Sequence, residues 1–415
     1  MSSGNVLRNR SFARVFFAGA ASVSGFSIGQ VAMNYLVFSK THSSVELAFV
    51  GVAFTVGLIS LSIFGGTLAD RQDRRMLMII CDGVRAVSLA LVTITFLFLG
   101  FNYLLVLAAS LILGAFTAIF QPAERAMIPS ILRKEQLADA NGLVQLTASL
   151  AGAFSNALGG ALVVIVGAVL AIGLNSITFL VSGLLIATVT VRRPAQEETA
   201  GQRRPGFLDD TREGLHYLMG YRGLLMLTAS AGVINLFYAM ILPFAPFYTS
   251  EVLHGNAVTY GIFLGLFSLG AAPGSLLVGR IGAVRRAGLA WSLSGVAGGA
   301  SLLTLVLVPV ATVAFLAIFL FGFFLGFAVT TWLSIVQIIV PNEMQGRYFG
   351  IDTLGSFAVL PVGQIIGGLA IASIGLSWTF GIAAMGFLVS SLAFMGVPEL
   401  RRMGHTAPVE HHVVP

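Results

Sequence analysis

The sequence predicts an all-α membrane protein: twelve transmembrane helices arranged as two parallel six-helix repeats. Three observations predict it. Of the 415 residues 57% are hydrophobic and only 10% charged, and the mean hydropathy is +0.93, which is too apolar for a water-soluble globular chain. The apolar residues come in runs of about 20, the length a helix needs to cross a bilayer while satisfying its own backbone hydrogen bonds. The second half of the chain repeats the first.

Apolar windows bounded by charge, Gly or Pro place six spans near 12–38, 45–68, 76–99, 103–121, 141–164 and 166–190. Six more follow near 224–249, 258–279, 287–308, 312–338, 346–371 and 376–397. Alternating strands of a membrane barrel are absent from the pattern. The domain plan is an N-terminal six-helix bundle at 1–190, a cytoplasmic linker at 191–222, a C-terminal bundle at 223–398 and a cytoplasmic tail at 399–415. Within the linker, Phe207, Leu208, Leu215 and Leu218 recur at roughly helical spacing, as expected of an amphipathic helix lying in the membrane interface.

The repeat is visible at a shift of 208 residues. It sets Gly66 on Gly274, Gly142 on Gly350, Asn156 on Gln364, and the pair Gly159-Gly160 on Gly367-Gly368; a small insertion then sets Pro129 on Pro341. An even number of spans per half makes the repeat parallel, related by an axis along the membrane normal, as in many solute carriers.

Charge decides orientation. Of the 23 Lys and Arg residues, 21 fall in segments on one side of the spans, Lys40 alone falls on the other, and Arg85 lies within span three. Basic loops stay cytoplasmic, so both termini are expected on the cytoplasmic side of a cell membrane that the chain crosses many times. The net charge of +6 is dispersed in short groups without interleaved aromatics, which argues against nucleic acid. One cysteine and six scattered histidines give no metal-ligand spacing. No loop has the pattern that cradles ATP phosphates and no catalytic constellation stands out, so no enzymatic activity, cofactor or metal is expected. No obligate protein partner is evident; the expected partners are the lipid bilayer and a small-molecule substrate.

Between spans two and three stands Gly66-Thr67-Leu68-Ala69-Asp70-Arg71-Gln72-Asp73-Arg74-Arg75. At these residues the chain resembles the major facilitator superfamily, whose corresponding loop reads G-x-L-a-D-R-x-G-R-R; Asp73 stands in place of the last glycine. Pro122-Ala123-Glu124-Arg125-Ala126-Met127-Ile128-Pro129, Ala140-Asn141-Gly142 and Arg212-Glu213-Gly214 resemble the twelve-helix branch that includes macrolide and siderophore exporters. The resemblance implies that the halves rock about a midplane cavity. It also implies that Asp70 latches against the start of span eleven, a helix-end contact worth about 0.3–1 kcal/mol when exposed and up to ~2 kcal/mol when partly buried. Arg71, Arg74 and Arg75 with Glu124 complete the expected gating motif, or serve only as topology signals. Val278 stands where Asp70 would repeat, so the latch is one-sided.

Other polar residues in the spans have two readings each. Asp82 and Arg85, at i and i+3 in span three, share a helix face; they are a structural pair or, with Asp352 in span eleven, the candidates for coupling to protons. Asp352 alternatively stabilises a helix start. Span five keeps the Gly159-Gly160 pair common in antiporters of the superfamily and lacks the preceding Gly-Pro. Asn156 and its repeat partner Gln364 face the substrate cavity or bind neighbouring helices. Gln30, Asn34 and Tyr35 in span one, Asn235 and Tyr238 in span seven, and Trp332 in span ten complete the cavity candidates. The functional expectation is a secondary active transporter that exports a moderately hydrophobic small molecule, with protons as the possible coupling ion. The alternatives are passage of a polar metabolite and, in another class, a non-transporting receptor or scaffold.

Overall fold

A computed structural model describes residues 6–133, 136–190, 207–281, 286–401 and 403. Twelve helical segments among them are long and apolar enough to span a membrane. The first six are α1 (Arg10–Thr41), α2 (Ser44–Arg71), α3 (Arg74–Phe98), α4 (Tyr103–Ile131), α5 (Leu137–Ile165) and α6 (Ala168–Ala187). The linker helix α7 (Phe207–Gly220) leads to α8 (Arg222–Ala239), then to a 3-10 turn at Leu242–Phe244, a single turn α9 (Ala245–Phe247) and a π-turn at Tyr248–Val252. There follow α10 (Ala257–Ile281), α11 (Ala287–Leu307), α12 (Ala311–Ile339), α13 (Asn342–Phe357), α14 (Leu360–Ile374), α15 (Leu376–Met395) and the short α16 (Pro398–Arg401).

Local chemistry sets the helix starts. Asn9, Ser43, Asp73 and Asn102 each accept backbone N–H groups of the first turn that follows, contacts worth about 1 kcal/mol apiece. Asp73 is the residue that replaces the superfamily's glycine, and its Oδ1 accepts from the N–H of Arg75 at 2.9 Å and of Met76 at 3.4 Å. The departure from the motif therefore supplies a cap for α3.

Spans four and eleven differ from the sequence expectation, and span seven breaks at the prolines it carries. Span four does not stop at 121: α4 runs through Pro122 and Pro129 to Ile131, because its last turns are held by an apolar cluster in which Ile128 and Leu132 meet Val6, Phe12 and Ala140. Span seven breaks after α8, where Pro243 and Pro246 lack the N–H that would continue the ladder; the chain continues as the 3-10 turn, the single turn α9 and the π-turn, whose Leu253 N–H donates to the Tyr248 carbonyl at 3.1 Å. Span eleven is two helices, α13 and α14, with Pro361 in the first turn of the second.

The repeat reaches the backbone. Gly167 and Gly375, 208 residues apart, open α6 and α15 at φ +89° and +87°, and His42 and His254 close the corresponding first span of each half at φ 48° and 52°.

The chain forms two compact units. The first comprises residues 1–202, 242–268 and 364–376. In it α2 crosses α4 so closely that a Cβ on Gly57 would lie 2.1 Å from the Leu111 carbonyl oxygen, and one on Gly114 would lie 1.9 Å from that of Phe54. The ends of α1, α2 and α5 remote from the arginine-rich segments take up elements of the later chain: Ser44 donates to the Gly368 carbonyl at 2.8 Å, Phe38 meets Phe247 edge to face at 4.7 Å, and Gly160 abuts Ala257 and Gly261.

The second unit comprises residues 203–241, 269–363 and 377–415. Its α10–α12 crossing repeats the glycine device: a Cβ on Gly274 would lie 2.0 Å from the Phe323 carbonyl oxygen, and one on Gly326 would lie 2.2 Å from that of Ala271. The linker helix α7 docks on α13, with Gly214 against the Arg347 carbonyl and Glu213 paired to the Arg347 guanidinium at 2.7 Å. Of the four apolar residues expected to form one face of α7, Leu215 is exposed and Leu218 is buried, and the side chains of Phe207 and Leu208 lie outside the described residues.

Candidate functional site

In the first unit a charged cluster is buried among α3, α4 and α6. Asp82 is 0% and Arg85 3% exposed. Helical i, i+3 spacing brings them together, and Arg85 Nη2 donates to Asp82 Oδ1 at 2.5 Å while its Nε donates to the Cys81 carbonyl at 3.3 Å. The rings of Phe120 and Phe179 lie against the guanidinium carbon, each centroid 4.4 Å away, so the cation keeps favourable partners on its faces as well as its edge. Ser182 of α6 faces Asp82, yet neither Ser182 Oγ nor Asp82 Oδ2 has an aligned hydrogen-bond partner.

Glu124 of α4 is half-buried. Its carboxylate lies over Gly19 of α1, where an added Cβ would come within 2.6 Å of Oε1, and within electrostatic reach of Arg85 and Asp82. Two arginines of the expected gating motif donate to backbone carbonyls. Arg75 ends on the Ala187 carbonyl instead of on Glu124, and Arg74 donates to the Ala126 carbonyl at 2.9 Å. Arg14 joins Arg75 at the same end of α6 by donating to the Thr188 carbonyl. Helix C-termini expose carbonyls and carry partial negative charge, which explains why arginines gather there. The side chains of Gly66, Asp70 and Arg71 lie outside the described residues.

In the second unit Asp352 of α13 is 3% exposed. Its Oδ1 accepts from Thr228 of α8 at 2.5 Å and from Tyr348 at 3.3 Å, and its Oδ2 from Ser356 at 3.5 Å. Asn235, a cavity candidate, donates to the Ser356 carbonyl at 2.9 Å, extending the network along the α8–α13 seam. Tyr348 and Ser356 sit one turn either side of Asp352 and were visible as i−4 and i+4 neighbours; Thr228 carried no sequence signal. The other candidates of this unit are aromatic contacts, Tyr238 6.2 Å from Phe321 and Trp332 5.6 Å from Phe349 between ring centroids.

The remaining amides belong to the first unit, and three of the four make interhelical bonds. Asn34 donates to Tyr260 Oη at 3.3 Å, Asn156 to Ser268 Oγ at 3.1 Å and Gln364 to Thr55 Oγ1 at 3.5 Å. Gln364 Oε1 is buried without a partner. Gln30 is half-buried, and Tyr35 stacks obliquely on Phe38 at 5.8 Å.

The described residues thus form twelve apolar spans with an internal repeat and two buried carboxylate networks, and hold no metal-binding cluster. The family described as transmembrane secretion effector matches residues 1–413. The chain belongs to this family of the major facilitator superfamily. It is 24% identical over 402 residues to macrolide efflux protein A of Streptococcus pyogenes, covering 94% of this chain and 97% of that one. Identity to the enterobactin exporter EntS of Salmonella typhimurium is 26% over 408 residues, covering 96% and 95%. An uncharacterised transporter of the superfamily from Bacillus subtilis, YkuC, is 33% identical over 223 residues, about half of either chain (52% and 51%). The fold is that of the nucleoside transporter NupG, with a TM-score of 0.73 at 12% identity over 93% of this chain and 99% of that one. By family, the chain is a multi-pass membrane transporter of the superfamily and not an enzyme.

Proposed function

We propose that the chain exports a moderately hydrophobic small molecule, such as a drug, antibiotic or siderophore-like metabolite, across the cell membrane in exchange for protons. The halves at 1–190 and 223–398, joined by the linker at 191–222, alternate access to a central binding site. The observation that carries this reading is similarity over nearly the whole chain to relatives named as efflux or export proteins. The scarcity of charge in the spans fits an apolar cargo better than an anionic one. Asp352, and Asp82 with Arg85, are the candidates for the coupling protons. In everted vesicles carrying an imposed pH gradient, a panel of macrolides, catecholate siderophores and cationic dyes should contain a compound whose uptake dissipates the gradient. With that compound, Asp352→Asn should lose pH-driven uptake and retain counterflow. Dissipation by no compound would remove the exchange reading, and full activity of Asp352→Asn in both assays would leave this carboxylate a purely structural role.

The proposed orientation puts both termini and the segment around Arg71–Arg75 inside. Because Cys81 is 1% exposed, the native background should stay unlabelled by maleimides, and Gln72→Cys, at an exposed position, should react in everted but not in right-side-out vesicles. The reverse pattern would invert the topology.

A further inference from the structure

The cluster around Arg85 holds two carboxylates and one guanidinium. Asp82 is bound to Arg85 through Oδ1 only; Oδ2, and Ser182 Oγ at 0% exposure, point into the cluster without aligned partners. Glu124 makes no hydrogen bond and no ion pair within 4 Å among the described residues, although its carboxylate lies in the field of Arg85 and Asp82. The other charge near it is Arg125, exposed on its own helix; α1 contributes Gly19 and α6 Ser182, neither of them charged, and the thiol of Cys81 flanks Asp82. With both carboxylates ionised the group carries one net negative charge, which is expensive at membrane depth unless compensated. One bound proton makes it neutral.

We propose that Asp82, Arg85, Glu124 and Ser182 form a single-proton site within the first half, entered through half-buried Glu124 and ending at Asp82 Oδ2. In the transfer, the O–H bond of the Glu124 carboxylic acid breaks and an O–H bond forms at Asp82 Oδ2. Arg85 keeps its proton throughout, and the cluster stays neutral. Ser182 Oγ accepts from the newly protonated oxygen, giving both unpartnered atoms a partner. The Glu124 carboxylate packs against α1 at Gly19, where a Cβ would lie 2.6 Å from its Oε1, so a shift of α1 changes the access of water to the entrance. The role of this site in transport rests on the proton-exchange reading; its existence does not.

The two are separated by infrared difference spectroscopy of purified protein in lipid nanodiscs, titrated with acid and base. The wild type should show the carbonyl stretch of a buried carboxylic acid that appears and disappears with pH. Glu124→Gln, which preserves the Asp82–Arg85 pair, should remove or displace the titration of that band. Ser182→Ala, which changes no charge, should shift its frequency by removing the acceptor. Asp352→Asn should leave this band in place. No titrating band, or one identical in Glu124→Gln and Ser182→Ala, overturns the proposal. The expected band in a chain that a pH gradient fails to drive would leave the site standing and refute only the exchange reading.

Discussion

Arg85→Leu should be among the most damaging single substitutions in the chain. It strips the partner from a fully buried carboxylate and the cation from between Phe120 and Phe179, and breaking a buried pair on one side typically costs about 3–5 kcal/mol. The expected outcome is little monodisperse protein after detergent extraction and a large fall in melting temperature. Asp82→Asn combined with Arg85→Leu should recover much of that loss, since no charge then remains unpaired. Arg85→Lys should fall between, because an ammonium cannot keep both the in-plane bond to Asp82 and planar contact with two rings. If Arg85→Leu melts with the wild type, or the double variant is as unstable as the single one, the pair is not the structural anchor described above. The thermodynamic cycle reads structural coupling, whereas the infrared titration reads proton occupancy, and the two can fail separately.

Gly114→Leu should have an effect of similar size for a different reason. Its Cβ would lie 1.9 Å from the Phe54 carbonyl oxygen, and because that atom is backbone, α2 and α4 have to separate along their length. Overpacking a well-packed seam costs about 1–3 kcal/mol, and more when backbone must move. Small residues at such crossings are what lets helices approach in a solvent as apolar as their own side chains. Gly83→Leu supplies the control, since a Cβ there meets nothing within 4 Å. Comparable yields of folded protein from Gly114→Leu and Gly83→Leu would show that the close crossing is dispensable.

The fold was legible because lipid imposes a blunt requirement. Each span needs enough apolar residues to cross, and Arg71, Arg133 or Arg192 is visible as an interruption wherever it does not. Where helices end was less legible. Pro122 looks like a stop in sequence, but α4 continues because Ile128 and Leu132 bury their side chains beyond it, a tertiary effect invisible to a hydropathy window. Pro243 does break its helix, and nothing local distinguishes the two. At the sites, i and i+3 or i+4 relations such as Asp82 with Arg85, or Tyr348 with Asp352, follow from helix geometry. Thr228 beneath Asp352, and the placing of Phe120 and Phe179 about Arg85, come from chain segments 124, 35 and 94 positions away, which helical periodicity cannot supply. Glu124 shows the same limit: its motif suggested a partnership with Arg75, and Arg75 found the open carbonyl end of α6 instead.

The matched backbone at Gly167 and Gly375 bears on the ancestry of the chain. Both residues turn the chain sharply into the last helix of their half at φ near +88° within a degree, a region L side chains rarely occupy, and they are separated by the same 208 positions as the glycine and amide matches. Side chains facing lipid can be exchanged for one another at little cost, so over time they lose any memory of a common origin. A corner that only glycine fits easily has almost no alternatives to drift toward. These two corners therefore read as relics of a duplicated six-helix ancestor, preserved by steric exclusion long after the surfaces around them diverged.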